Sequence, residues 1–460
     1  MLRMIWKNKI NSGSILTLSI LSLLVCSCIK IQSNKTGERS DSDSTQIDNE
    51  VLVRGIRIYG IGETSSPPII FFNEQPLNIN QDVYGNGKAL TISCDIVAHN
   101  TPNLTLQIIH CDRNWRSTKN VFIQDPVNMR SNDFLIHRAP IGVRQYDYTA
   151  EISFPSKSSL LKIEHSGNYI AQVLDYYNSN KVLAEAKFFV VEDNAKISFI
   201  AQSGFYESAQ TDVPQHGFRV TSEILPDYTI FGYNIKALVL YESGKWNFPI
   251  VAEESTNEFK KGYIFARWFQ SFSSRVNADF MNIPAGNEHR LLDLTDISSF
   301  PFIGTQSLTT PLSDLPRNGG AVADNNGVLL IPLIPSNEED YIPFEFRLDL
   351  KGGSVLQDIC VVGTFNDWTP SDKWRLFYDP KTGYYRTRGL IRRAKHEYEY
   401  LAGKWNYDLN VLTEYEPTLL EGNSKTSTKL FYGFVYYQDI ALGSYDRIIG
   451  FSSVYTGSYK

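Results

Sequence analysis

The sequence is poor in several things. Its 460 residues include 5 cysteines, 4 methionines and 7 histidines. Five scattered cysteines build no disulfide framework, so stability has to come from packed cores. The histidines (His99, His110, His137, His165, His216, His289 and His396) show no tight metal-ligand spacing, and the sequence predicts no metal or cofactor. Positive charge is also scarce. Lys and Arg number 44 against 50 Asp and Glu, a net charge of −6, which argues against a nucleic-acid partner. Beyond the N-terminus no run approaches the ~18 apolar residues of a membrane-spanning helix. Catalytic strings are missing too: there is no G-x-S-x-G, H-E-x-x-H or P-loop, and Gly60-Ile-Gly62 begins a dinucleotide fingerprint that it does not complete. No enzyme activity is expected.

What is abundant is aromatic. Tyr and Phe number 26 each, and aromatics make up 13% of the chain, a balance that favours strands. Hydrophobic residues at 42% and charged residues at 20% mark the bulk as globular, and the length is enough for about three domains.

The N-terminus reads as an export signal. Arg3, Lys7 and Lys9 precede an apolar stretch from Ile15 to Val25, too short for an anchor helix. It ends in Val25-Cys26-Ser27-Cys28, where small Ser27 before Cys28 resembles a bacterial lipobox. Residues 1–27 are therefore expected to be a lipoprotein signal peptide and Cys28 the lipidated mature N-terminus, held in the membrane by acyl chains at ~0.8 kcal/mol per buried CH₂. Removing residues 1–27 takes away three basic residues and no acidic one, moving the charge from −6 to −9. Ile-Lys-Ile-Gln-Ser-Asn after Cys28 lacks the acidic run typical of surface-exported lipoproteins of the Bacteroidota. That favours the periplasmic face of the outer membrane. Residues 28–50 are polar and read as a disordered tether, ~25 Å in root-mean-square reach and up to ~75 Å extended.

Three β segments follow. In 51–193, Leu90-Thr-Ile-Ser-Cys-Asp-Ile96 alternates with period two, placing Leu90, Ile92, Cys94 and Ile96 on one face. Further strands are expected at 104–109, 146–154, 168–174 and 185–191, giving an N-terminal β-sandwich with Asp82–Lys88 as a turn. In the middle β domain, 194–326, His216–Ile224 alternates and Glu242-Ser-Gly-Lys245 reads as a hairpin turn between 235–241 and 246–251. Residues 309–326 are rich in Pro, Gly, Asp and Asn and read as a linker. In 327–460, strands are expected at 344–350, 358–363, 374–378, 383–390 and 397–401, with a final one at 433–442 and a hairpin turn at Asp379–Gly383. The fold class expected is all-β, a tandem array of sandwiches.

Four constellations bear on function. His110 and Cys111 are adjacent, so in a strand they point to opposite faces and cannot act as a catalytic couple. Glu397 and Glu399 share a strand face with Lys395, which reads as a solvated charge ladder. Phe365 and Trp368 are expected to plug a sandwich. Trp374 and Trp405 are the candidate glycan or partner contacts, because an exposed indole stacks on sugar rings.

Gly363-Thr-Phe-Asn-Asp-Trp368, Tyr378–Tyr385 and Tyr398-Glu-Tyr400 resemble the immunoglobulin-like glycogen-binding modules of amylases. The resemblance implies an immunoglobulin-like early-set sandwich at 327–460. A wider resemblance runs through His110-Cys-Asp-Arg-Asn-Trp115, Ser166–Tyr169, Phe188–Asp193, Gly286-Asn-Glu-His-Arg290, Val362–Trp368, Glu421-Gly-Asn423 and Tyr445-Asp-Arg-Ile-Ile-Gly450. In order and spacing these resemble the type IX secretion system plug proteins of the Bacteroidota. That resemblance implies a non-enzymatic periplasmic module that closes the giant translocon barrel of the outer membrane. A glycan-binding outer-membrane lipoprotein is the alternative.

Overall fold

The computed structural model describes residues 50–456, apart from 61–63, 73–88, 126–128, 157–160, 179–180, 208–213, 257–262, 271–274, 321–322, 333 and 335–337. The signal segment, Cys28, the tether up to residue 49 and the turn at 82–88 lie outside the described residues.

The first sandwich comprises β1 (Leu52–Gly60), β2 (Ile69–Phe72), β3 (Leu90–Val97), β4 (Leu104–Cys111), β5 (Arg130–Ser131), β6 (Leu135–Arg138), β7 (Tyr148–Phe154), β8 (Gly167–Asp175) and β9 (Val182–Glu192). Its sheets run β1-β3-β7-β6 and β2-β9-β8-β4-β5. Leu90, Ile92, Cys94 and Ile96 are fully buried between them, the face that the alternation predicts.

The middle sandwich begins with β10 (Ala195–Glu207), β11 (Pro214–Pro226), β12 (Ile235–Glu242), β13 (Ile250–Glu253), β14 (Phe265–Gln270) and β15 (Val276–Pro284). One sheet runs β10-β11-β15-β14. The other is completed by residues more than 140 positions further along the chain.

The third sandwich uses β16 (Arg290–Asp293), β17 (Gln306–Ser307), β18 (Tyr341–Leu348), β19 (Asp358–Gly363), β20 (Arg375–Asp379), β21 (Tyr384–Arg392), β22 (Lys395–Asn406) and β23 (Val411–Glu416). They form one continuous path, β16-β22-β19-β20-β21-β18-β17, with β23 beside β22, folded over a single core. A single turn of helix, Thr418–Glu421, follows. Then come β24 (Lys429–Asp439) and β25 (Tyr445–Thr456), which return to the middle sandwich in the order β13-β12-β24-β25.

Segment boundaries read along the chain are therefore crossed twice. β16 and β17 leave the middle segment to pair with β22 and β18, and β24 leaves the last segment to pair with β12, with β25 beside it. The cause lies in two-sided burial. Phe431, Val435 and Tyr437 face the middle core, while Phe434 and Tyr436 pack on Phe189 and Val191 of the first sandwich. A strand covered on both faces loses its alternation, and its sequence shows only an apolar run with no hint of its partner.

Candidate functional site

Two joints hold the first sandwich to the rest of the chain. In one, Arg113 donates from its backbone N and Nη1 to Asp446 at 3.0 and 3.1 Å, and from Nη2 to Glu253 at 3.0 Å. The Trp115 indole N–H donates to Tyr241 Oη at 3.0 Å, Tyr436 Oη to Asn168 Oδ1 at 2.7 Å, and Phe189 stacks on Phe434 at 4.2 Å between ring centres. In the other, Asp95 is fully buried against the third sandwich. It accepts from Arg57 Nη1 at 2.8 Å, from Tyr341 Oη at 2.8 Å and from Arg392 Nη1. Burial alone would raise its proton affinity, but the two guanidiniums outweigh burial and hold the carboxyl below its usual range.

The joint between the middle and third sandwiches is the most charged. Gly286–Arg290 supplies two adjacent centres. Arg290 Nε bridges both oxygens of Glu421 at 2.9 Å, Nη1 reaches Asp314 at 3.0 Å, and Nη2 reaches the Leu315 carbonyl at 2.8 Å. Tyr398 and Tyr400 donate to the other Asp314 oxygen at 2.9 and 2.8 Å. Beside this, His289 Nδ1 lies 2.7 Å from Asp324 Oδ2 and 3.3 Å from Glu397 Oε2, with Trp368 against the imidazole at 4.4 Å. Lys245 pairs with Glu399 at 2.9 Å and Glu242 at 3.1 Å, and Lys429 with Glu242 at 2.8 Å. Burial and Lys245 disfavour the imidazolium, but Asp324 and Glu397 overcome both, and the His289 pKa lies above its usual value.

Two expectations change here. Glu397 and Glu399 do share a face, but the middle sandwich covers it: Glu397 is 1% exposed, and Glu399 is paired with Lys245. The solvated ladder is a buried junction. The described residues of 309–326 have no regular structure apart from an isolated bridge at Asp314, as composition predicts, yet the segment is more than a spacer, because Asp314 and Asp324 anchor it.

Trp374 and Trp405 are each 4% exposed and belong to the third core. The Trp374 ring covers Gly389, where an added Cβ would sit 2.4 Å from it. Arg375 lies 4.7 Å over the Trp405 ring. Neither indole has a face free for a sugar, so both are corrected to core residues. Trp368, 1% exposed, fills the core as expected.

His110 Nε2 donates to the Ser166 carbonyl at 3.2 Å and Nδ1 accepts from Thr118 Oγ1 at 2.9 Å, and the ring sits beside Cys111 on the chain without pairing with it. Burial pushes the His110 pKa down to about 4 and the Cys94 and Cys111 thiols up to about 12. Cys360 is raised as well, so the three described thiols are free, buried and poor nucleophiles. Because His110 is held neutral when folded, the unfolded chain takes up a proton first as pH falls. Stability is thus lost between pH ~6.5 and ~4, by about 2–3 kcal/mol from this residue. His110→Gln should flatten that part of the stability–pH curve in urea titrations; an unchanged slope would contradict the assignment.

Gly327 marks where the charged joint closes. Its φ is +79°, and an added Cβ would lie 2.5 Å from the Ser243 carbonyl, while the Gly327 carbonyl accepts from the Trp368 indole at 3.3 Å. Gly327→Ala is expected to cost about 1–3 kcal/mol, read as a fall in Tm together with higher Trp368 solvent accessibility by fluorescence quenching.

The geometry defines a protein of welded β-sandwiches whose buried polar groups lie at the joints between modules. Residues 53–192, the first sandwich, match the family model described as the Type 9 secretion system plug protein 1st domain. The first sandwich is thus similar to the first domain of type IX secretion plug proteins, and the match supports a role in type IX secretion. The fold is similar to the crystal structure of a hypothetical protein from Parabacteroides merdae ATCC 43184. That likeness has a TM-score of 0.64 and 17% identity, over 88% of this chain and 97% of that one. No curated protein matches the sequence.

Proposed function

We propose that the chain docks on the periplasmic opening of the type IX translocon barrel and plugs it, anchored to the outer membrane through lipidated Cys28 and its tether. The observation that carries this reading is the welding of the plug-family first domain to two further sandwiches by buried charged joints. Blocking an aqueous opening requires bulk that does not deform, and three sandwiches that share strands and charge clasps supply it.

Release requires a contact of modest strength with a polar rim. The outer strand β10 fits that need. It is 13 residues long, ends the sheet path, and exposes Ile200 at 62% and Phe205 at 70%. An edge of this kind accepts a further strand from a partner. The glycan-binding alternative loses its named residues, since Trp374 and Trp405 are core.

Affinity isolation of the tagged full-length chain from envelopes of its own cells should recover the translocon barrel. Changing both Ile200 and Phe205 to Asp should leave stability within about 0.5 kcal/mol, as for exposed sites, and reduce that recovery. Failure of the unaltered chain to recover any outer-membrane barrel would overturn the plugging role. Full recovery by the double variant would remove β10 from the contact.

A further inference from the structure

We propose that His289, Asp324 and Glu397 form a divalent-metal site of the zinc type, set in the joint between the middle and third sandwiches. This is independent of the plugging role. The three side chains come from three separate segments, and a ligand atom from each lies within 4.8 Å of the others. Zinc bound at ~2.0–2.2 Å by one imidazole nitrogen and two carboxylate oxygens needs donors about this close.

Acidic groups gathered together do not make a site, and three further observations favour a cation here. His289 is 5% exposed, yet neither ring nitrogen has a hydrogen-bond partner: Asp324 and Glu397 are near Nδ1 but off the direction in which an N–H there would point. Glu288 Oε2, buried on the same motif, is also without a donor. The charge balance is uneven as well. Lys245 and Lys429 are taken up by Glu242 and Glu399, and among the described residues no lysine or arginine pairs with Asp324 or Glu397.

The carboxylates are already aimed. Glu397 accepts from the backbone N–H of Gly327 at 2.6 Å and from that of Asn325. Asp324 accepts from the N–H of Asn326 at 2.8 Å and of His289 at 2.6 Å. Backbone donors of this kind orient ligating oxygens while leaving a lone pair free for a metal. Mixed nitrogen and oxygen donors suit zinc and disfavour Mg²⁺ or Ca²⁺, which take oxygen ligands. A bound ion would fasten the 309–326 segment to β22 and to the Gly286–Arg290 motif, locking two sandwiches together.

The test uses the full-length chain. Elemental analysis after purification without chelator should find about one zinc per chain. Chelation should lower Tm, and Zn²⁺ but not Mg²⁺ should restore it. Co²⁺ in place of Zn²⁺ should show the visible absorption of a low-coordinate nitrogen–oxygen site. Asp324→Asn and His289→Gln should each weaken Zn²⁺ binding by at least about 10–100-fold. If the variants do not fold, the chelation and restoration of the unaltered chain still decide the matter. Absence of zinc together with a Tm that neither chelator nor Zn²⁺ moves would overturn the site and leave an imidazolium between two carboxylates. So would Zn²⁺ binding of unchanged strength in both variants.

Discussion

Asp95→Ala is expected to destabilise the chain by about 3–5 kcal/mol, the cost of orphaning buried charge. The carboxylate is fully buried and holds Arg57, Arg392 and Tyr341 at once. Its removal leaves the Arg57 guanidinium without a counter-ion among the described residues where the first sandwich meets the third. Arg392 keeps only Glu339 at 3.1 Å, a pair partly open to solvent. Asp95→Asn preserves shape and one acceptor, so it should lose less. Urea unfolding followed by tryptophan fluorescence measures the effect. Because several sandwiches are linked, hydrogen exchange along β3 and β18 should show whether the loss is local or global. A loss under 1 kcal/mol would mean that the clasp contributes little.

Arg290→Ala should be of similar size, about 3–5 kcal/mol, for the opposite reason: it takes the nearest cation from two buried carboxylates, Glu421 and Asp314. Burial already outweighs Arg290 at Glu421, whose pKa lies above the ordinary range with the guanidinium in place. Arg290→Lys should rescue little. Three bonds leave the guanidinium in three directions, to Glu421, Asp314 and the Leu315 carbonyl, and an ammonium on a flexible stem cannot reproduce that fork. Equal stability of the lysine and wild-type chains would sink the argument.

Residues of the family-like motifs stand at these joints. Arg113 and Trp115, Asn168, His289 through its backbone N–H, Arg290, Glu421 and Asp446 each bond to a group from another module or segment. The pattern was legible in the sequence as a series of short strings in a fixed order. Their purpose was not, because each string's partner lies far away along the chain. Asp95 illustrates why. Alternation places it opposite Cys94, on the face that a lone sandwich would turn to water, and only the third sandwich makes that face interior. Glu397 departs from its expected exposure for the same reason: the middle sandwich covers its face.

The sequence alone determined the strand content, the core-facing side of β3, the separation of His110 from Cys111 and the irregular path of 309–326. Each of these depends on local sterics and periodicity, which act between near neighbours. Tertiary structure decided the rest. It sent β24 back to β12 with β25 beside it, closed Trp374 and Trp405 into the core, and gathered His289, Asp324 and Glu397 from three segments. Those outcomes depend on which second surface covers a strand. Burial on both faces erases the alternation by which a sequence announces its partner.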